Sequence, residues 1–203
     1  MQFTKDLLWH IGHDGITILK SRKIKLEPFR KIESLGKDLV NYINLIEDTD
    51  FKEELRIFFK SNEEFFTKPA AQSKHHNYKG GLLEHTIQTV EMAIALAEKM
   101  DEDVLIDNDL LIAGSLLHDV GKMDCYEFDG DLIYTTDIGY AQNHIINGVK
   151  IISQKFKTDK LDDLIHIIAS HHQLKEWGSP VEPRTNEAWI IHMVENLSSK
   201  IMG

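Results

Sequence analysis

Residues 108–122 read Asn108-Asp109-Leu110-Leu111-Ile112-Ala113-Gly114-Ser115-Leu116-Leu117-His118-Asp119-Val120-Gly121-Lys122, and this stretch decides the fold. Leu110–Leu117 is apolar nearly all round, and a helix without a polar face is a buried one. Asn108 suits its N-cap, and Asp119-Val120-Gly121 ends it. A buried helix that ends on an adjacent imidazole and carboxylate needs a reason, because a desolvated carboxylate is costly. One reason is a capping Asp beside a hydrogen-bonded His. The other is a bound cation.

Outward from this helix the pattern stays helical. Upstream, Leu83, Ile87, Val90, Ile94 and Ala97 recur in steps of four and three, a helical stripe. Before it, residues 67–81 read as a polar loop closed by Gly80-Gly81. Pro28 can open a helix to about Ile46, with Ile32, Leu35, Leu39, Tyr42 and Ile46 on one face. A second helix, from about Asp50 to Phe66, carries Phe51, Leu55, Phe58, Phe59 and Phe65. Downstream, residues 125–138, with Asp129-Gly130 between Phe128 and Leu132, suggest a hairpin or loop excursion. Helices follow at about Gln142–Phe156, Lys160–His171 and Asn186–Ser199, the last two separated by Gly178-Ser179-Pro180 and Pro183. The first 27 residues differ, since Ile16, Ile18, Ile24 and Leu26 in a charge-interrupted run suggest strands or an extended arm. The expected fold is all-α: a helical domain over 28–203 with a short non-helical segment, 1–27, packed on it, and a small hairpin near 125–138.

Composition narrows the function. The chain has 203 residues, 42% hydrophobic and 28% charged, a globular profile. No apolar run approaches the roughly 18 residues of a membrane span, and no signal-peptide pattern opens the chain, so a cytoplasmic protein without a membrane partner is expected. One cysteine, Cys125, excludes an internal disulfide and fits a reducing compartment. It reads as a bystander thiol rather than a nucleophile. A net charge of −10 disfavours a broad electrostatic grip on nucleic acid. Lys20, Arg22, Lys23, Lys25, Arg30 and Lys31 form a local basic cluster, either a solvated edge or a strip for a polyanion.

The remaining chemistry lies in histidines and acids at or near helix ends: His85, His118-Asp119, His144, His171-His172 and Glu195. Each has a plainer explanation alone, such as an exposed turn His or a His favoured by the helix dipole. His192 and Glu195, three apart, share a helix face among the core-like Ile191, Val194 and Leu197. Together, imidazoles and carboxylates suit a divalent metal site with N and O ligands. A second doublet, His13-Asp14 between Gly12 and Gly15, reads as a turn.

The order His…His-Asp…His…His-His…acid resembles the HD superfamily of metal-dependent phosphohydrolases. Longer blocks are similar to the HD domain of YhaM-type 3′-to-5′ exoribonucleases. These are Pro69-Ala70-Ala71, His75-His76-Asn77-Tyr78-Lys79-Gly80-Gly81-Leu82-Leu83-Glu84-His85-Thr86, Leu116 to Lys122, Ser170-His171-His172 and Glu176-Trp177-Gly178-Ser179-Pro180. The resemblance covers roughly residues 65–201.

The resemblance implies an HD-type helical bundle and one or two divalent ions, manganese first, with Fe, Mg, Co, Ni or Zn as alternatives. It implies that His85, His118, Asp119 and Glu195 hold one metal, and that Asp119 bridges to a second held by His144, His171 and His172. Two such ions can clamp a phosphoryl group and activate a water. Asp119 and Lys122 are then the catalytic pair, with Lys122 on a phosphate oxygen. His76, Tyr78, Lys79 and Lys122 would bind substrate. The family usually has Asp where this chain has Glu195, which is one methylene longer. It also carries a nucleic-acid-binding OB domain, whereas about 65 mostly helical residues precede the resemblance here, too few for a full OB barrel. The expected function is hydrolysis of RNA or short oligonucleotides from the 3′ end. The alternatives are a phosphohydrolase of free or cyclic nucleotides, and a catalytically weak nucleotide-binding module.

Overall fold

The structure is a computed structural model that describes residues 9–12, 15–18, 28, 30–74 and 76–201, the first two segments by backbone alone. Strands β1 (Trp9–Gly12) and β2 (Gly15–Ile18) pair antiparallel, with Trp9 opposite Ile18 and Gly12 opposite Gly15. The His13-Asp14 doublet, most of the basic cluster and the expected packing of residues 1–27 lie outside the described residues.

From Arg30 onward the chain is helical. The order is α1 (Ile32–Leu45), α2 (Thr49–Ser61), α3 (Gly81–Ala97), α4 (Asn108–Leu117) and a single turn α5 (Lys122–Cys125). The hairpin β3 (Tyr126–Asp129) and β4 (Leu132–Thr135) follows, then α6 (Asp137–Lys155), α7 (Leu161–Ser170) and α8 (Asn186–Ile201). The expected all-α fold with a small hairpin is what the chain adopts. Among the described residues no helix is long and apolar enough to cross a membrane.

Helix α4 is the axis of the bundle. Every residue from Leu110 to Leu117 is buried, and α1, α3, α7 and α8 all pack on it. A second apolar layer lies under α2, where Phe51 and Phe58 meet Phe156 at ring distances of 6.3 and 5.5 Å. The carboxylate of Asp109, at the head of α4, accepts from the backbone N–H groups of Glu47 and Asp48, tying α4 to the turn between α1 and α2.

Several boundaries differ from the sequence reading, each for a local reason. Helix α1 begins at Ile32, not Pro28. The Arg30 N–H is spent on Glu84 of α3 at 3.1 Å, and its guanidinium pairs with Asp38 and Glu91. Arg30 therefore ties two helices together rather than joining a polyanion strip. The second predicted helix breaks at Asn62 (φ −128°, ψ 60°), whose side chain donates to Phe58 O, and residues Glu63–Phe66 continue as a 3-10 turn. That break turns Phe65 into the core against Phe59, with ring centroids 5.1 Å apart. The cap of α4 is Asp107, not Asn108, since the Asp107 carboxylate accepts from Leu110 N.

Helix α6 starts five residues early, capped by Thr136, and is broken inside at Asn143 (φ 54°, ψ 173°). Asn143 Oδ1 accepts from the N–H groups of Ile145 and Ile146, so it caps a new helix whose first residue is His144. The sequence-predicted start near Gln142 corresponds to this internal cap. The hairpin turns through Gly130 (φ 59°), with Asp129 opposite Leu132, and its end is held by Thr135 Oγ1 donating to Gln72.

Truncation on the central helix should be costly. Leu116 is wholly buried in α4, and Leu116→Ala should lower unfolding free energy by about 2–5 kcal/mol. Urea denaturation of the two proteins measures this, and a loss below about 1 kcal/mol would contradict the central placement of α4.

Candidate metal centre

The site is assembled from helix ends. The last carbonyls of a helix lack intrahelical partners. The histidines that follow α4 and α7 use them: His118 Nδ1 donates to Ser115 O and His171 Nδ1 to Ile168 O, both at 2.8 Å. His172 Nδ1 donates to Trp177 O at 2.6 Å. A carbonyl can only accept, so each of these rings carries its proton on Nδ1. Outer hydrogen bonds of this kind fix the tautomer of metal-binding histidines and leave Nε2 as the free lone pair. His85, in the first turns of α3, sets its Nδ1 against Ser198 Oγ of α8 at 3.3 Å.

The Nε2 atoms of His85, His118, His144 and His171 converge on one carboxylate. Asp119, only 1% exposed, has Oδ2 at 3.2 Å from His85 Nε2 and 3.3 Å from His118 Nε2. Its Oδ1 lies 3.6 Å from both His144 Nε2 and His171 Nε2. His85, His118 and Asp119 form one tight group, and His144, His171 and His172 form another. Asp119 stands between them.

The protonation states suit cation binding. Burial alone would raise the Asp119 carboxyl, but Lys122 and His118 outweigh it and hold it well below the usual carboxylate range. Burial pushes His85 and His144 well below an ordinary imidazole, Lys122 adding to the effect at both. Burial with the neighbouring His171 lowers His172 to about 3. Burial also opposes a charged His118, yet the adjacent Asp119 carboxylate wins and raises it. The centre thus presents an ionised carboxylate beside neutral rings at His85, His144 and His172.

The donor set fits divalent ions. Asp119 Oδ1, His144 Nε2 and His171 Nε2 are buried with no hydrogen-bond partner among the described residues. A divalent cation between these three atoms would satisfy them together. His85 Nε2 and His118 Nε2 are 3.3 Å apart, as are two nitrogens each about 2.1 Å from one ion, which stand roughly 3–3.4 Å apart.

A cleft of about 540 Å³ opens over the centre. His144, His172, Lys122, His192 and Glu195 line it, together with Lys74, Tyr126, Trp177 and Lys200. Lys122 Nζ is 2.6 Å from Asp119 Oδ2, and the carboxylate raises the lysine against the opposing effect of burial. Glu195 is buried in this cleft wall, near enough for its charge to act on His118 and Lys122, but it is in neither tight group. The three other residues expected at the substrate mouth do not line the cleft. His76 is buried with its ring 5.4 Å from His85, Tyr78 donates to Glu84 at 2.5 Å, and Lys79 is exposed. Sequence reading did not foresee Lys74, Tyr126, Trp177, His192 or Lys200 as a common lining, because they come from four separate segments.

Histidines on a helical scaffold around a shared carboxylate make a candidate divalent-metal centre. The HD domain model matches residues 82–199, and the chain belongs to that family. It is 30% identical over 206 residues to the 3′-5′ exoribonuclease YhaM of Geobacillus sp. (strain WCH70), an alignment covering 94% of this chain and 59% of that protein. It is 33% identical over 184 residues to the 3′-5′ exoribonuclease YhaM of Bacillus subtilis (strain 168), covering 88% of this chain and 57% of that one. The chain thus spans less than two thirds of these relatives. The similarity extends beyond residues 65–201 into most of the N-terminal third. No solved structure matches the chain.

Two predictions test the local geometry. A Cβ at Gly121 would lie 1.9 Å from His144 O and 2.5 Å from Gly148 N. Gly121→Ala should therefore push α6 and His144 away and weaken divalent-metal binding roughly tenfold or more. Calorimetric titration reads this, and unchanged affinity would refute the close contact. Burial and the nearby Asp124 push the Cys125 thiol up to about 12. Iodoacetamide should label native protein at pH 8 far more slowly than unfolded protein, and equal rates would show an accessible thiolate.

Proposed function

We propose that the chain is a metal-dependent phosphodiesterase that shortens RNA or short oligonucleotides from the 3′ end. The observation that carries this reading is the pair of donor groups on either side of Asp119, beside a cleft lined by His144, His172 and Lys122. The names of the two relatives favour a ribonucleotide polymer as substrate. The cleft also concentrates Lys74, Lys122 and Lys200 in a chain of net charge −10.

In this reading His85, His118 and Asp119 hold one ion, with Glu195 as the family-position acid beside them. His144, His171 and His172 would hold a second, with Asp119 Oδ1 beside it. Divalent ions in such a pair supply Lewis acidity and lower the pKa of water. His/carboxylate sets accept several metals, and manganese is our assignment for this one. Lys122 adds positive charge where the phosphate oxygens gain negative charge during in-line displacement. Backbone carbonyls hold the His118, His171 and His172 rings in place, so little reorganisation is needed. Water donates a hydroxyl to phosphorus, and its proton ends on the departing alcohol. Residues 28–203 form the catalytic unit of this proposal.

A second reading rests on the size of the cleft. A volume of about 540 Å³ is within the range of small-ligand sites, so free or cyclic nucleotides are alternative substrates.

Digestion of an end-labelled single-stranded RNA with manganese, beside a nucleotide panel assayed for phosphate, separates the two. A ladder of shortened RNA without free phosphate is expected. Phosphate release from free nucleotides, or ring opening of cyclic nucleotides to monophosphates, with intact RNA would move the assignment to nucleotides. Lys122→Ala should lower turnover roughly 100-fold while bound metal is retained, and loss of metal with activity would make Lys122 structural. Glu195→Asp should keep or raise activity, and complete loss would show that the longer side chain is required.

A further inference from the structure

Trp177 is the odd residue of the cleft. It is half exposed, at 50%, although it lines a site built mostly of polar and charged groups. Leaving so large an apolar surface in water gains nothing for folding. Its position is nevertheless closely fixed. The segment after α7 forms a 3-10 turn, Lys175–Trp177, in which Trp177 N–H donates to Leu174 O and Gly178 N–H to Lys175 O, both at 3.0 Å. Ser179 N–H returns to Leu174 O at 3.1 Å, and Gly178 takes φ +103°, a conformation that favours glycine.

This turn is bolted to the metal centre at two points. His172 Nδ1 donates to Trp177 O at 2.6 Å, and His172 N–H donates to the buried Ser179 Oγ at 3.0 Å. Trp177, half exposed and lining the cleft, thus sits on a hydrogen-bonded mount whose carbonyl also orients a candidate ligand.

We infer that Trp177 is the nucleobase platform of this cleft, stacking on the base of the nucleotide whose phosphate lies over Asp119. The inference rests on the proposed phosphoester chemistry and deepens it by naming how the nucleoside is recognised. An exposed aromatic face beside lysines is the usual chemistry for gripping single strands, and it is tolerant of sequence because every base has a π-face. The mount sets the distance between the stacked base and the catalytic centre, so stacking also places the phosphate.

Binding of adenosine 5′-monophosphate and ribose 5-phosphate to the manganese-loaded protein isolates the base. These are read as dissociation constants, or as KM if either is turned over. The wild type should bind the nucleotide on the order of 10- to 100-fold more tightly than the sugar phosphate. Trp177→Ala, which keeps the carbonyl that orients His172, should close that gap to within about threefold and leave ribose 5-phosphate affinity unchanged. Trp177→Phe should keep most of the gap. A gap that survives in Trp177→Ala, or none in the wild type, overturns the platform. Failure to shorten RNA would overturn the polymer substrate instead, while the nucleotide–sugar comparison would still read Trp177.

Discussion

A single buried carboxylate governs this structure. Asp119 sits at the end of the most enclosed helix, 1% exposed, with four imidazole nitrogens within 3.6 Å. An ionised group there must be compensated. Lys122 supplies one positive charge at 2.6 Å, but the orphaned Oδ1 and the unpartnered nitrogens of His144 and His171 remain. The rest of the bundle serves to hold these acceptors together. Helix α4 is buried on all sides so that its end lies at the centre, α7 brings two histidines by its C-terminus, and the break at Asn143 brings a third.

The same constraint ties folding to chemistry. Each orienting hydrogen bond recruits a group that a helix end leaves spare, so the scaffold that satisfies its own carbonyls also fixes the ring tautomers. Side chains positioned on rigid elements keep a site within the tolerance that catalysis needs. The close approach of Gly121 to the backbone of His144 shows how little room the arrangement has.

The helical domain and most of the centre were legible because their signals are local. The apolar run Leu110–Leu117 marks the buried helix, and His118-Asp119 and His171-His172 fall directly after helices whose ends periodicity locates. Boundaries were less legible where tertiary bonds compete with helix formation, as at Arg30 and Asn62. Asp107 and Asn108 are both good caps, and only the fold chooses between them. His85 lies off the apolar stripe, yet it is fully buried because α4 and α8 both pack on α3. The cleft lining was illegible for the same reason in reverse. His76, Tyr78 and Lys79 precede the ligand His85 closely in sequence, whereas Lys74, Trp177 and Lys200 meet only through the packing.

The central claim is that Asp119 is shared between two ions. Elemental analysis of protein purified without chelator or polyhistidine tag, wild type beside Asp119→Ala, tests it most directly. The account predicts two equivalents of divalent metal per chain in the wild type, both lost in the variant. Metal content unchanged by Asp119→Ala, or none bound by the wild type even after manganese is added, would contradict it.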